Sequence, residues 1–166
     1  MSQLKVNSIV PVGGLPSGAN GGILQVVQTF KNDATSTTSN TFSDLTGMSA
    51  TITPSSNSNK VLIRFSLCLS STHNPVIHIN LLRGSTNIAQ PSTTPVHFST
   101  MMAYIDGDKI IQQGYEFLDS PSTTSATTYK LQWRNHAAGF TSKLNEYYNA
   151  TNYAGTSTIT LMEVTV

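Results

Sequence analysis

Lys60-Val-Leu-Ile-Arg-Phe-Ser-Leu-Cys-Leu69 decides the fold class. Val61, Ile63, Phe65, Leu67 and Leu69 occupy every second position, and Leu62, Arg64, Ser66 and Cys68 fill the places between. Successive side chains of a strand point to opposite faces, so this period makes one wholly apolar face and one mixed face. Such a strand needs a partner layer over its apolar side. Other segments repeat the pattern. Ile23 to Phe30 and Val76 to Leu82 read as strands, and so does Ser49 to Thr53, which ends at Pro54. Thr127 to Arg134 sets Tyr129, Leu131 and Trp133 against Thr128, Lys130, Gln132 and Arg134. Thr156 to Val166 closes the chain, with Ile159 and Leu161 opposed to Met162 and Val164.

Turn chemistry separates these runs. Pro54-Ser-Ser-Asn-Ser-Asn59 is rich in side chains that satisfy their own backbone. Asp106-Gly-Asp108, between Met101–Ile105 and Lys109–Gln112, predicts a hairpin. Tyr115 to Phe117 reads as a short edge piece closed by Asp119-Ser-Pro121. Lys143 to Ala150 is the helix candidate, short and poorly amphipathic. Eight or nine short strands without a substantial helix predict an all-β fold, a two-sheet jelly-roll-like sandwich. Its expected core includes Phe65, Leu67, Leu131 and Trp133.

The first 22 residues are of another kind. Leu4 and Val6 alternate with Lys5 and Asn7, then Pro11 to Gly22 holds five glycines and two prolines. A strand this short cannot hold itself and must pair with something. Residues 1–22 therefore read as an attachment arm (Leu4, Lys5, Val6, Ile9) with a Gly/Pro linker, and residues 23–166 as the sandwich head.

Composition bounds the function. Of 166 residues, 64 are Ser, Thr, Asn or Gln, while 9 Lys plus Arg face 8 Asp plus Glu. A net charge of +1 with scattered cations argues against a nucleic-acid partner. No run of about 18 apolar residues occurs, so no membrane-spanning helix is expected. The N-terminus lacks a charged segment leading into an apolar one, so synthesis in a cytoplasm is expected. Cys68 is the single cysteine, and the four histidines (His73, His78, His97, His136) lie in four segments without ligand spacing. His78 reads as a half-exposed structural histidine. No Gly-x-Ser-x-Gly elbow is present. Neither a catalytic residue, a metal site nor a cofactor is expected; the chain reads as a non-enzyme.

Two strands carry apolar residues on both faces. A sandwich strand needs only one buried face, so the surplus means either cover by the protein's own loops or burial against another subunit. The subunit reading predicts a homotrimer with Leu24, Val26, Phe30, Met162 and Val164 at the interface. Tyr147, Tyr148 and Tyr153 lie in a polar loop before the last strand. Their flat faces and hydroxyls suit either receptor contact, with glycan as the ligand, or capping of the sandwich end.

Ser2-Gln-Leu-Lys-Val-Asn-Ser-Ile9, the Gly/Pro arm, and Gly22-Ile-Leu-Gln-Val-Val-Gln-Thr29 resemble the start of small tail-fibre-like structural proteins of marine bacteriophages, including those infecting cyanobacteria. Leu45-x-Gly-Met-Ser-Ala-Thr-Ile-Thr-Pro54, Lys60-Val-Leu-Ile63, Leu82-Arg-Gly-Ser-Thr86, Leu118-Asp-Ser-Pro121, Thr128-Tyr-Lys-Leu-Gln132 and Ser157-Thr-Ile-Thr-Leu-Met-Glu-Val164 extend the resemblance along nearly the whole chain. It implies a virion appendage, commonly homotrimeric, anchored to other virion proteins through its arm, with a β-rich head that meets the host surface. The sequence has no extended shaft. A capsid decoration protein that stabilises the shell is the alternative, and a small carbohydrate-active enzyme the second.

Overall fold

The computed structural model describes residues 22–72, 76–93, 98–106 and 109–165. The arm residues Leu4, Lys5, Val6 and Ile9 lie outside them. Thirteen strands follow in order: β1 (Ile23–Lys31), β2 (Thr35–Thr37), β3 (Ser43–Ile52), β4 (Lys60–Ser71), β5 (Val76–Arg83), β6 (Thr86–Ile88), β7 (Met101–Tyr104), β8 (Ile110–Asp119), β9 (Thr127–Asn135), β10 (Ser142–Leu144), β11 (Glu146–Tyr147), β12 (Ala150–Ala154) and β13 (Ser157–Val164).

All the ladders are antiparallel. In the first sheet β8 covers one edge of β4, while β13 and then β10 share the other; β1 and β2 lie beyond them. In the second sheet β9 covers one edge of β5, β7 and β6 share the other, and β3 lies beyond β9. Eight principal strands remain when the short pieces β2, β6, β10, β11 and β12 are set aside. Counted along the chain, the first sheet runs first, eighth, third, sixth, and the second runs second, seventh, fourth, fifth. Consecutive strands, except the fourth and fifth, therefore hop between sheets in two interleaved Greek keys, the jelly-roll arrangement.

The core lies where the inner faces meet. Val61, Ile63, Phe65, Leu67 and Leu69 of β4 are each buried, with Ile159 and Leu161 beside them on β13. Ile77, Ile79 and Leu81 of β5 and Tyr129, Leu131 and Trp133 of β9 close over them. Phe65 stacks on Tyr115 with ring centroids 5.8 Å apart.

Polar groups close both ends of this core. Asp119 of β8 accepts from Arg83 of β5 at 2.8 and 3.0 Å and from the Tyr129 hydroxyl at 2.7 Å, so one carboxylate ties the two sheets. Burial, then the bond to Asp119, pushes the Tyr129 hydroxyl well above its usual range. At the opposite end Asn145, buried and at φ 63°, donates to the Lys31 carbonyl at 2.9 Å and accepts from the Ser157 hydroxyl at 2.6 Å.

Several local expectations change. Met101–Tyr104 and Ile110–Asp119 do not form a hairpin: β7 pairs with β5 and β8 with β4, so this connection crosses between sheets. An Asp-Gly turn serves a crossover as well as a hairpin. The edge piece at 115–117 is part of the ten-residue β8. The strand expected at 49–53 begins at Ser43; its alternation slips between Leu45 and Met48, where the ladder is irregular and Gly47 takes φ 81°. Residues 143–150 form β10, β11 and their turn rather than a helix. His78 is 1% exposed, not half-exposed, because Gln90 and Ser99 lie over the outer side of β5, with Ser99 Oγ 3.2 Å from His78 Nδ1 and Gln90 Nε2 donating to Asn80.

Phe65 fills the centre of the core, so Phe65→Ala should cost about 3–5 kcal/mol, measured by chemical denaturation. A loss below about 1 kcal/mol would contradict this packing.

Candidate interaction surface

The two outer faces differ. On the second sheet, Asp44, Ser49 and Thr51 of β3 stand beside Thr128, Lys130 and Gln132 of β9, all polar. Lys130 and Gln132 each hold Asp44 at 2.8 Å, and the bonds from Lys130 and then Gln132 keep the Asp44 carboxyl below its usual range. The first sheet presents something else. Val26 of β1 stands opposite Met162 of β13, Met162 opposite Leu62 of β4, and Leu62 opposite Leu118 of β8. This is an unbroken apolar row across four strands. Val26 is 57% exposed and Leu118 46%, while Phe30, two rows away on the same face, is 57% exposed. Between them lies a shallow depression bordered by Val26, Gln28, Arg64, Ser66, Thr160 and Met162. Neighbouring positions on a pleated face lie within about 5 Å of one another, so these groups form one patch rather than scattered exposures.

The structure gathers the expected interface residues here. Val26, Phe30, Met162 and Val164 share this face, and Leu24 lies at the ladder irregularity between Ile23 and Gln25. Leu62 and Leu118 extend the patch and were not expected. Leu62 was legible as the second face of the strongest strand. Leu118 was not, because the segment read as too short for its phase to be set.

One carboxylate fixes the strands that carry the patch. Glu163 points inward between Met162 and Val164 and is fully buried. It accepts from Gln25 Nε2 of β1 at 2.5 Å, Asn59 Nδ2 at 2.6 Å, the Ser55 amide at 2.6 Å and the Ser55 hydroxyl at 2.7 Å. Burial alone would raise its pKa. The hydrogen bonds from Gln25, Asn59 and Ser55 more than offset this and hold it at about 2. Glu163 thus joins β1, β13 and the 53–59 turn where Leu24 and Val26 emerge.

The three tyrosines converge at the far end of the sandwich. β11 and β12 form a small hairpin on which the Tyr147 ring lies 5.3 Å from Tyr148 and 5.8 Å, edge-on, from Tyr153. Tyr153 is 63% exposed. Ser70 Oγ donates to the Glu146 carbonyl at 2.6 Å, and Lys143 pairs with Glu146 at 2.9 Å, so the hairpin is anchored to β4 and β10. Its return to β13 passes Gly155, where a methyl group would overlap Cys68 Sγ. Burial pushes the Cys68 thiol up, away from the reactive thiolate.

No protein-family model matches the chain, and no curated protein matches it. Several solved structures similar to it come from virus particles. A chain of the T13 particle of infectious bursal disease virus superimposes with a TM-score of 0.50 at 11% identity, over 94% of this chain and 42% of that one. A mutant VP2 protein of the same virus, from T=1 particles, gives 0.44 at 11% identity, over 94% and 42%. The VP2 subviral particle gives 0.43 at 11%, over 94% and 44%. The likeness at 0.50 is one of fold, and this chain spans about two fifths of that chain's length.

Because Glu163 is held at about 2 against an ordinary 4.5, its contribution to stability is present above the ordinary value and lost as pH falls towards 2. Glu163→Gln should cost roughly 2–3 kcal/mol near neutral pH. The gap between wild type and variant should close between pH 4.5 and 2. Denaturation across that range checks both.

Proposed function

We propose that the chain is a structural protein of a virus particle that assembles as a homotrimer through the outer face of its first sheet. It works by binding rather than by catalysis. The observation that carries this is the apolar row Val26–Met162–Leu62–Leu118, exposed on one outer face of the sandwich while the other is polar or loop-covered. The jelly-roll likeness to a virus-particle chain supports the setting. Leu24, Val26, Phe30, Met162 and Val164 face the threefold axis in this reading. Residues 1–22 tether the trimer to other virion proteins by adding Leu4, Lys5, Val6 and Ile9 as a strand to a partner edge. The tyrosine hairpin then faces outward to a host-surface glycan, and three copies raise avidity through effective concentration. This makes the protein a tail-fibre-like appendage.

Light scattering on the intact chain should report about three protomers at micromolar concentration. Val26→Asp with Met162→Lys should leave single, folded chains. A wild-type chain that stays single would refute the assembly. Deletion of residues 1–20 should leave the melting temperature of the head unchanged and abolish incorporation into particles. A destabilised head that still incorporates would overturn the tether. Tyr153→Ala should weaken binding to host cells without altering assembly.

A further inference from the structure

One row of the outer face is not apolar. Gln28, Thr160, Arg64 and Glu116 stand opposite one another across β1, β13, β4 and β8, next to the apolar row. Gln28 Nε2 donates to Thr160 Oγ1 at 2.8 Å, which satisfies half of the row within the protomer. Arg64 and Glu116 form the other half. They are direct partners in the β4–β8 ladder, and both are exposed. Among the described residues neither takes part in an ion pair; the pairs formed are Lys31–Asp33, Arg83–Asp119, Lys130–Asp44 and Lys143–Glu146. Gly114, the next outward position on β8, raises no side chain beside Glu116. The other described charges that the strands carry on this face are Lys60, at the end of β4, and Lys143 of β10, which is paired with Glu146.

We propose that Arg64 of one copy pairs with Glu116 of the next, so that the occupant of this face is a second copy of this chain held in a defined register. The proposal rests on the assembly reading above and names the contact that specifies it. One cation and one anion side by side in an apolar field complement the same surface on another copy; they do not complement a uniformly charged or wholly apolar partner. Four strands about 4.8 Å apart and about ten residues long at about 3.3 Å each present about 600 Å² in projection, which two neighbours share around a threefold axis.

Docking two apolar faces removes water from both charges. A register that sets like charges against each other costs free energy, whereas one that sets Arg64 against Glu116 of the next copy satisfies both. The apolar row supplies attraction in many registers, and the ion pair penalises all but one. Around a threefold axis, Glu116 on the β8 edge of each copy meets Arg64 of its neighbour, and the ring closes with one such contact per junction.

The test uses the intact chain with Arg64→Glu, Glu116→Arg and the two combined. Self-association is measured by analytical ultracentrifugation in about 0.1 M salt, where the Debye length is about 10 Å. Each single reversal should raise the concentration for half-assembly about tenfold or more, and the combined exchange should return it to within about threefold of wild type. Like charges directly opposite in a ladder weaken it, so Arg64→Gln and Glu116→Gln serve as a second set, and melting of each variant reports its fold. If the exchange assembles as weakly as the single reversals, or if the single reversals and the Gln variants match wild type, the ion pair is refuted while the assembly stands. A wild-type chain single at every concentration overturns both.

Discussion

Everything in this molecule follows from the need to cover the inner face of β4. Five consecutive alternate positions, Val61 to Leu69, are apolar without a polar break, and each is buried. One neighbouring strand cannot cover such a face; a whole sheet must. β4 therefore becomes the centre of the first sheet, with β8 on one side and β13 and β10 on the other. The second sheet supplies the opposing layer through Ile77, Ile79, Leu81, Leu131 and Trp133. Packing aligned inner faces leaves the polar problem at the ends, and the molecule solves it twice. Asp119 and Glu163 flank Val61 in register at one end, each saturated with donors. Asn145, Ser157 and Asn135 bind backbone and hydroxyl groups at the other.

The outer faces are free of that need, and their difference is therefore informative. Where a face meets only water, cross-strand pairs such as Asp44 with Lys130 and Gln132 satisfy it. On β5 the outward His78, Asn80 and Leu82 are covered by the protein's own connection. The outer side of β5 is covered, while the apolar row of the first sheet lies open.

The sequence was most legible where period two ran unbroken. Lys60–Leu69, Thr127–Arg134 and the final strand have their inner faces where alternation places them. Legibility failed where the signal was local and the answer was not. Gly47 breaks the phase of β3, so its first half was hidden. Asp106-Gly107 marks a change of direction but not which sheet receives the next strand. His78 alternates correctly, yet its burial depends on a connection some twenty residues away in the chain. On the outer face, Val26 and Met162 stood out as apolar residues in strands already satisfied. Arg64 and Glu116 did not, because their juxtaposition is set by a ladder register between residues some fifty positions apart.

The first strand pairs with the last. Ile23 meets Val164 and Lys31 meets Ser157, so β1 closes onto a segment more than 120 residues further along the sequence. Loop closure across the whole head is among the slowest contacts a chain of this size can make. Until it forms, the edge of β4 that β13 will occupy stands open, and an unpaired edge templates wrong partners. The outer row waits on the same closure, since Met162 stands between Val26 and Leu62. A chain cut before β13 has neither the sealed sheet nor the apolar row.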